Sequence, residues 1–308
     1  MNESRYHAKH SRVGFALGLL AYGLWGVLPL YFKAVAAVAP FDIVAHRVLW
    51  SLPFLAVLVV VSRGWEKVRS AIGQARTLGI LLVTALLIGC NWLLYVYAVN
   101  GGHMLAASFG YYLNPLANVL LGRFVLKEKL NRMQWTAVAI AGAGISVLAA
   151  GALGQLWISL TLCATFASYG LLRKIVQADA ITGLGIETAI LLPAALLWLA
   201  WRHSIGVPVM GASHSLMGLL LLAGVVSTTP LLLFTAASKR LPYSTLGMLQ
   251  FIAPTLQFLI AIWYGEPLRT AHFIAFPAIW IALGLYVSAL LRAPKVPQPT
   301  NDVSLSEC

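Results

Sequence analysis

FDIVAHRVLWSLPFLAVLVVV, residues 41–61, carries an aspartate, a histidine and an arginine in its first seven positions and only one serine among the apolar residues after them. As a helix rising 1.5 Å per residue it is about 30 Å long, the thickness of a hydrocarbon bilayer. A charge inside such a helix costs about 2.5–3.5 kcal/mol on insertion scales, so Arg47 is retained for function or for pairing. A second run, TGLGIETAILLPAALLWLAW at 182–201, repeats the plan with the opposite charge. Glu187 stands six residues before Pro193, as Arg47 stands six before Pro53, and the two pairs are 140 residues apart.

That offset extends along the chain. Pro115 and Pro254 are 139 apart, Glu128 and Glu266 are 138 apart, and so are Asn91 and Thr229. Shared apolar composition alone would make the halves look alike, but it would not align prolines and acids. The spacing therefore predicts a duplication.

Ten apolar runs are long enough to span: 13–32, 41–62, 76–97, 102–124, 133–150, 154–172, 183–201, 214–235, 243–264 and 271–291. Of 308 residues, 60% are hydrophobic and 10% charged, against about 25% charged in soluble domains. The net charge of +12 lies in short connections, which is a topology signal and excludes a nucleic-acid partner. Counted along the runs, 17 Lys and Arg fall on one side and 3 on the other, with Arg47 inside a helix. Both termini are then cytoplasmic. With five helices per half, the second copy enters the membrane upside down. Such inverted repeats set a binding site at their interface and work by alternating access.

The predicted organisation is a polar N-terminal segment (1–12), a first repeat (13–150), a second repeat (154–291) and a disordered polar tail (292–308). The fold class is an all-α polytopic membrane protein of ten transmembrane helices. The first run is not followed by a small-residue cleavage site and reads as a retained helix. Cys90, Cys163 and Cys308 have no metal-ligand or disulfide spacing. No GxxxxGK[ST], HExxH or GxSxG occurs, so neither an ATP motor nor a common membrane hydrolase is expected, nor a metal or cofactor. A proton or counter-solute gradient would drive the cycle.

Polar groups inside the runs are the candidate site. Arg47 would hold an anionic group of a solute; the other readings are an ion pair or a side chain reaching outward to water. Glu187 would hold a cationic group or carry a coupling proton, or pair structurally. Their depths differ by about 10 Å, so direct pairing is not required. His46 is a second coupling candidate, because histidine is the side chain suited to carry protons near neutral pH, against a reading as a packed histidine. Asn91 and Tyr95 share a helix face, as do Tyr111, Asn114 and Asn118, while Trp92 follows Asn91. Thr245, Gln250, Pro254 and Gln257 give the ninth run a matching polar stripe. These groups either meet a solute or join helices to each other. Each proline removes a backbone donor, an irregularity tolerated where it faces protein or a wet cavity. Tyr22, Trp25, Tyr31 and Tyr169 serve stacking on a solute or plain packing. Ala137, Ala139, Ala141 and Ala143 supply small-residue spacing for helix packing or a homodimer face.

The strings AYGLWGVLPLYFK (21–33), AHRVLWS (45–51), IGCNWLLYVYAVN (88–100), SFGYYLNPLANVLLG (108–122), TGLGIETAILLP (182–193) and STLGMLQFIAPTLQFLIAIWYGE (244–266) are similar to those of the RarD-type permeases. These belong to the EamA branch of the drug/metabolite transporter superfamily, and the resemblance runs from about residue 12 to 291. Cys90 departs from it, standing where glycine is expected. The resemblance implies two inverted five-helix EamA repeats in a bacterial inner membrane, a central cavity, and export of a small metabolite or a drug such as chloramphenicol. Arg47, Asn91, Trp92, Asn114, Glu187 and Gln250 lie in the matching strings. One cation and one anion in the membrane would suit an amino-acid-like zwitterion. A membrane enzyme acting on a lipid-linked substrate and a non-transporting scaffold are the competing classes.

Overall fold

The computed structural model describes residues 3–100, 103–149, 156–210, 213–264 and 270–292, all of it helix and short connections. The helices are α1 (Glu3–Ala34), α2 (Pro40–Val61), α3 (Trp65–Gly73), α4 (Ala75–Asn100), α5 (Met104–Phe124), α6 (Arg132–Ala149), α7 (Leu156–Ile175), α8 (Ala180–Ser204), α9 (His214–Ser238), α10 (Tyr243–Leu249), α11 (Ile252–Trp263) and α12 (Thr270–Arg292). Seven of them, α1, α2, α4, α7, α8, α9 and α12, contain segments long and apolar enough to cross a membrane. The chain is a polytopic helical membrane protein. The tail from residue 293, Glu266 and Arg269 lie outside the described residues.

Two features depart from the expected pattern. The polar segment before residue 13 is helical from Glu3 and continues into α1. Residues 65–73, expected as a connection, form α3, an amphipathic helix with Ala71 buried and Trp65, Glu66 and Lys67 exposed. It is too short to cross a bilayer, and its polarity keeps it at the interface.

The expected ninth run is two helices, broken at Gln250 and Phe251. Pro254 has no N–H for the carbonyl of Gln250, and its ring crowds that carbonyl. The carbonyl accepts instead from Ala253 at 3.3 Å, a tighter turn than an α-helix makes. Pro53, Pro115 and Pro193 sit inside helices that remain continuous.

α2 packs on α8 and α9, α1 on α9 and α11, α7 on α4 and α5, α10 on α5, and α6 on α12. Lipid gives helices little hydrophobic reason to associate, so close backbone approach and hydrogen bonds decide the pairing. At the α2–α9 crossing, Gly224 lies on the backbone of Trp50 and Ser51, where a Cβ would collide. The same crossing is tied by the Thr228 hydroxyl, which donates to Ser51 Oγ at 2.5 Å. On α6, Ala137 and Ala141 are fully buried in a cluster with Ile279, Ala282 and Tyr286 of α12, while Ala139 and Ala143 stay exposed.

Candidate functional site

Arg47 stands two turns into α2. Its guanidinium carbon lies 4.4 Å from the centre of the Trp92 ring, carried on α4. Its Nε–H is buried without a hydrogen-bond partner. The phenols of Tyr31, Tyr95 and Tyr111 are close enough to act on its charge. Tyr95 and Tyr111 meet edge to face with centroids 5.6 Å apart, joining α4 to α5. Tyr31 donates to the carbonyl of Leu219 at 3.0 Å. A cation, a ring stacked on it and three phenols thus converge from α1, α2, α4 and α5.

Asn91 anchors this cluster. Its amide nitrogen donates to Leu162 O at 2.9 Å and to Thr165 Oγ1 at 2.8 Å, both on α7. That leaves its oxygen to accept from Tyr111 at 3.5 Å. Asn91 is therefore buried glue between α4 and α7 whose free end faces the aromatic group. His46 is tied on both nitrogens: the indole N–H of Trp50 donates to Nδ1 at 3.2 Å, and Nε2 lies 2.6 Å from Val209 O. Indole only donates, so Nδ1 accepts and the proton sits on Nε2.

Glu187 is held very differently. It is buried, with the Arg173 guanidinium 3.5 Å from Oε1. Thr84 donates to Oε1 at 2.5 Å and Tyr169 to Oε2 at 3.3 Å. Arg173 is completely buried at the end of α7 and donates on to the carbonyls of Asp179 and Ala180 at 3.2 and 3.4 Å. Gly183 makes this geometry fit, since a Cβ there would occupy the place of Arg173 Nη1. Arg173, counted in the sequence with the charges of a cytoplasmic connection, is thus an internal ion-pair partner. Arg202 is likewise paired, in a fork on Asp42 at 2.9–3.2 Å, with the Trp198 indole N–H donating to the same carboxylate at 2.9 Å. A run-by-run reading sees Arg173 and Asp42 only as helix-end charges; their partners lie across the fold.

Gln250 and Asn114 belong to the α5–α10 contact. Asn118 donates to Gln250 Oε1 at 2.8 Å, and both amide atoms of Asn114 are buried without partners. Among the described residues no hydrogen bond or ring contact joins them to Arg47. Tyr22 and Trp25 pack with Phe234 and Phe166 as core. Glu128 closes the buried start of α10, accepting from the backbone N–H of Tyr243 and Ser244 at 2.5 and 2.9 Å. A carboxylate there meets the positive end of the helix dipole.

Two spaces lie along α9. An enclosed one of about 20 Å³, room for a water, is bounded by Ser51, Trp92, Tyr169, Glu187 and Thr228. A larger one of about 1020 Å³ is bounded by Leu58, Lys67, Asp179, Leu232 and Lys239. At its edge two lysines clasp the ends of α7 and α9. Lys174 Nζ donates to Ser238 O at 2.8 Å and Leu241 O at 2.5 Å. Lys239 Nζ donates to Lys174 O at 3.1 Å and to Val176 O. Burial, then Arg173 and Lys174, push the Lys239 ammonium down to about 8, with Asp179 opposing.

The EamA-like transporter family matches residues 12–150. An uncharacterized transporter of Vibrio cholerae is 45% identical over 92% of this chain and 94% of its own. Protein RarD of Escherichia coli is 44% identical over 91% of this chain and 95% of its own. A chloramphenicol-sensitive protein RarD of Pseudomonas aeruginosa is 33% identical over 88% and 92%. A solved crystal structure of a protein, 19% identical, superposes with a TM-score of 0.68 over 92% of this chain and 99% of that one, a likeness of fold. With matches of this length and identity, the chain belongs to the RarD-type permeases of the EamA family of membrane transporters.

Proposed function

We propose that the chain is a secondary transporter of the bacterial inner membrane that exports a small polar metabolite or drug by alternating access. The observation that carries this reading is Arg47. A guanidinium inside a membrane helix, with an unpartnered N–H and no acidic partner among the described residues, is a costly feature unless a ligand completes it. Transporter names on the relatives point the same way.

In this reading ten spans form two inverted repeats, 13–150 and 154–291, with α10 and α11 together serving as one span. The packing pattern supports it. Exchanging the halves turns the α6–α12 and α2–α8 pairs into themselves. It turns α1–α9 into α7–α4, and α5–α7 into the packing of α10 and α11 on α1. The loops agree as well. Lys67 pairs with Asp179 at 3.3 Å, and Lys174 reaches Leu241, so three basic connections share one side, which we assign to the cytoplasm. Asp42 and Arg202 pair at the opposite ends of the same helices.

The solute path runs from the larger space, past Glu187 and Arg173, to Trp92 and Arg47. A proton or counter-solute drives the cycle. Glu187, at the wall of the enclosed space, is the coupling candidate, since protonating it would release its pair with Arg173. Chloramphenicol enters only as a test compound, since one relative is named for it.

The test compares metabolites in the medium of cells making the native chain with cells making equal membrane amounts of Arg47→Ala. A solute enriched only by the native chain is expected. Identical profiles, with chloramphenicol tolerance also unchanged, would remove Arg47 from the path and favour the scaffold or enzyme classes.

A further inference from the structure

We infer that the Arg47 site takes an organic anion with a flat unsaturated body, not a zwitterion; calling that anion the cargo rests on the transport reading above. The first reason is charge. The acids whose side chains are described, Asp42, Glu66, Glu128, Asp179 and Glu187, are all engaged elsewhere or exposed. Asp42 serves Arg202, Asp179 serves Lys67 and Glu187 serves Arg173. Glu128 serves the start of α10, and Glu66 is exposed on α3. Among the described residues the ammonium of an amino acid would therefore meet no open carboxylate, while its carboxylate would meet the Arg47 guanidinium. Removing a carboxylate and a guanidinium from water together is tolerable when they pair, whereas a buried ammonium left unpaired is strongly unfavourable.

The second reason is geometry. The guanidinium carbon lies over the Trp92 ring at 4.4 Å, so the ring closes that side and a ligand approaches from the others. The edge of a guanidinium matches the two oxygens of a carboxylate. The unpartnered Nε–H is a donor on that edge. The third reason is the surrounding chemistry. Tyr95 and Tyr111 add ring faces near Arg47, and the Tyr95 hydroxyl adds a donor. The Asn91 oxygen, the side-chain acceptor of the cluster, already takes the Tyr111 hydroxyl. A site rich in donors and aromatic faces selects an acceptor with a flat body.

Three probes with one carbon skeleton separate these charge classes: phenyllactate (carboxylate only), phenylalanine (carboxylate and ammonium) and phenethylamine (ammonium only). Binding is read on the full-length chain in detergent by quenching of tryptophan fluorescence and by thermal stabilisation. Phenyllactate is expected to bind most tightly, phenylalanine more weakly and phenethylamine not at all. Arg47→Gln is expected to weaken phenyllactate about tenfold or more. Phenylalanine binding as well as phenyllactate would overturn the inference, and so would phenyllactate binding that is unchanged in a folded Arg47→Gln. The ranking on the native chain stands even where that variant fails to fold.

Flux in proteoliposomes separates the two readings. Phenyllactate bound through Arg47 but never moved would support the anion site and overturn transport. Phenethylamine moved without any binding of phenyllactate would overturn the anion site and leave transport standing.

Discussion

Arg47 and Glu187 hold matching places in α2 and α8, two helices that pack together, each six residues ahead of a proline. The fold finishes one and leaves the other open. Glu187 has a guanidinium, a threonine and a tyrosine on its two oxygens. Arg47 has a ring face and an empty Nε–H. A charge satisfied by its own chain stabilises structure; a charge left for something else selects a ligand. Two matching positions in the sequence thus carry two charges with different work.

The largest effect tests that division directly. Glu187→Ala leaves Arg173 buried without a counter-charge, and should lower stability by about 3–5 kcal/mol in reversible unfolding from mixed micelles. Arg47→Ala should stay within about 1 kcal/mol of the native chain, since it removes a charge with no internal partner. Equal losses in the two variants would break the comparison and make Arg47 structural.

Next comes Gly183→Ala, whose new methyl group displaces Arg173. A cost of about 1–3 kcal/mol is expected, as for other overpacked cores. That cost should vanish when Gly183→Ala is made in an Arg173→Met background, itself destabilised by leaving Glu187 without its partner, and a cost that persists there would show that the loss arises elsewhere. On the open side, Trp92→Leu should weaken an anionic ligand by about 0.5–2 kcal/mol with only a modest fall in melting temperature from its partial packing on the core. A large drop in melting temperature would class Trp92 with the core.

The smallest effect is a pH dependence at the lysine clasp. Lys239 titrates at about 8 in the fold, below an ordinary lysine at about 10.4. Between those values the unfolded chain binds more protons, so this group makes stability rise with pH. Below about pH 8 both states are protonated and the full cost of burying the ammonium is present. Melting curves from pH 7 to 10 should show a rise that Lys239→Gln flattens; an unchanged slope would mean the clasp carbonyls fully offset burial.

Much of this was legible in the sequence. Apolar run length located the helices, and Pro254 marked an irregular backbone position, where the structure breaks the helix. Arg47 was conspicuous because a lone cation in an apolar run has no local excuse. The closed side was illegible for a definite reason. Arg173 ends an apolar run, where a basic residue ordinarily faces water, and only the missing Cβ of Gly183 across the α7–α8 contact lets it turn inward. Asp42 and Arg202 similarly sit at helix ends and meet only when α2 and α8 pack. Hydropathy also overlooks α3, because a short amphipathic helix averages to the polarity of a loop.

The place of Arg173 and Glu187 in consecutive helices bears on how the chain enters its membrane. Either charge, crossing hydrocarbon on a single helix, faces the insertion cost alone. Because the partners lie on α7 and α8, the two helices can neutralise each other as a hairpin before the helices that follow them are made. Biogenesis would then treat α7 and α8 as one unit of partitioning, and a truncated chain ending after α7 should be retained at the translocon longer than one ending after α8. Arg47 has no such companion among the described acids.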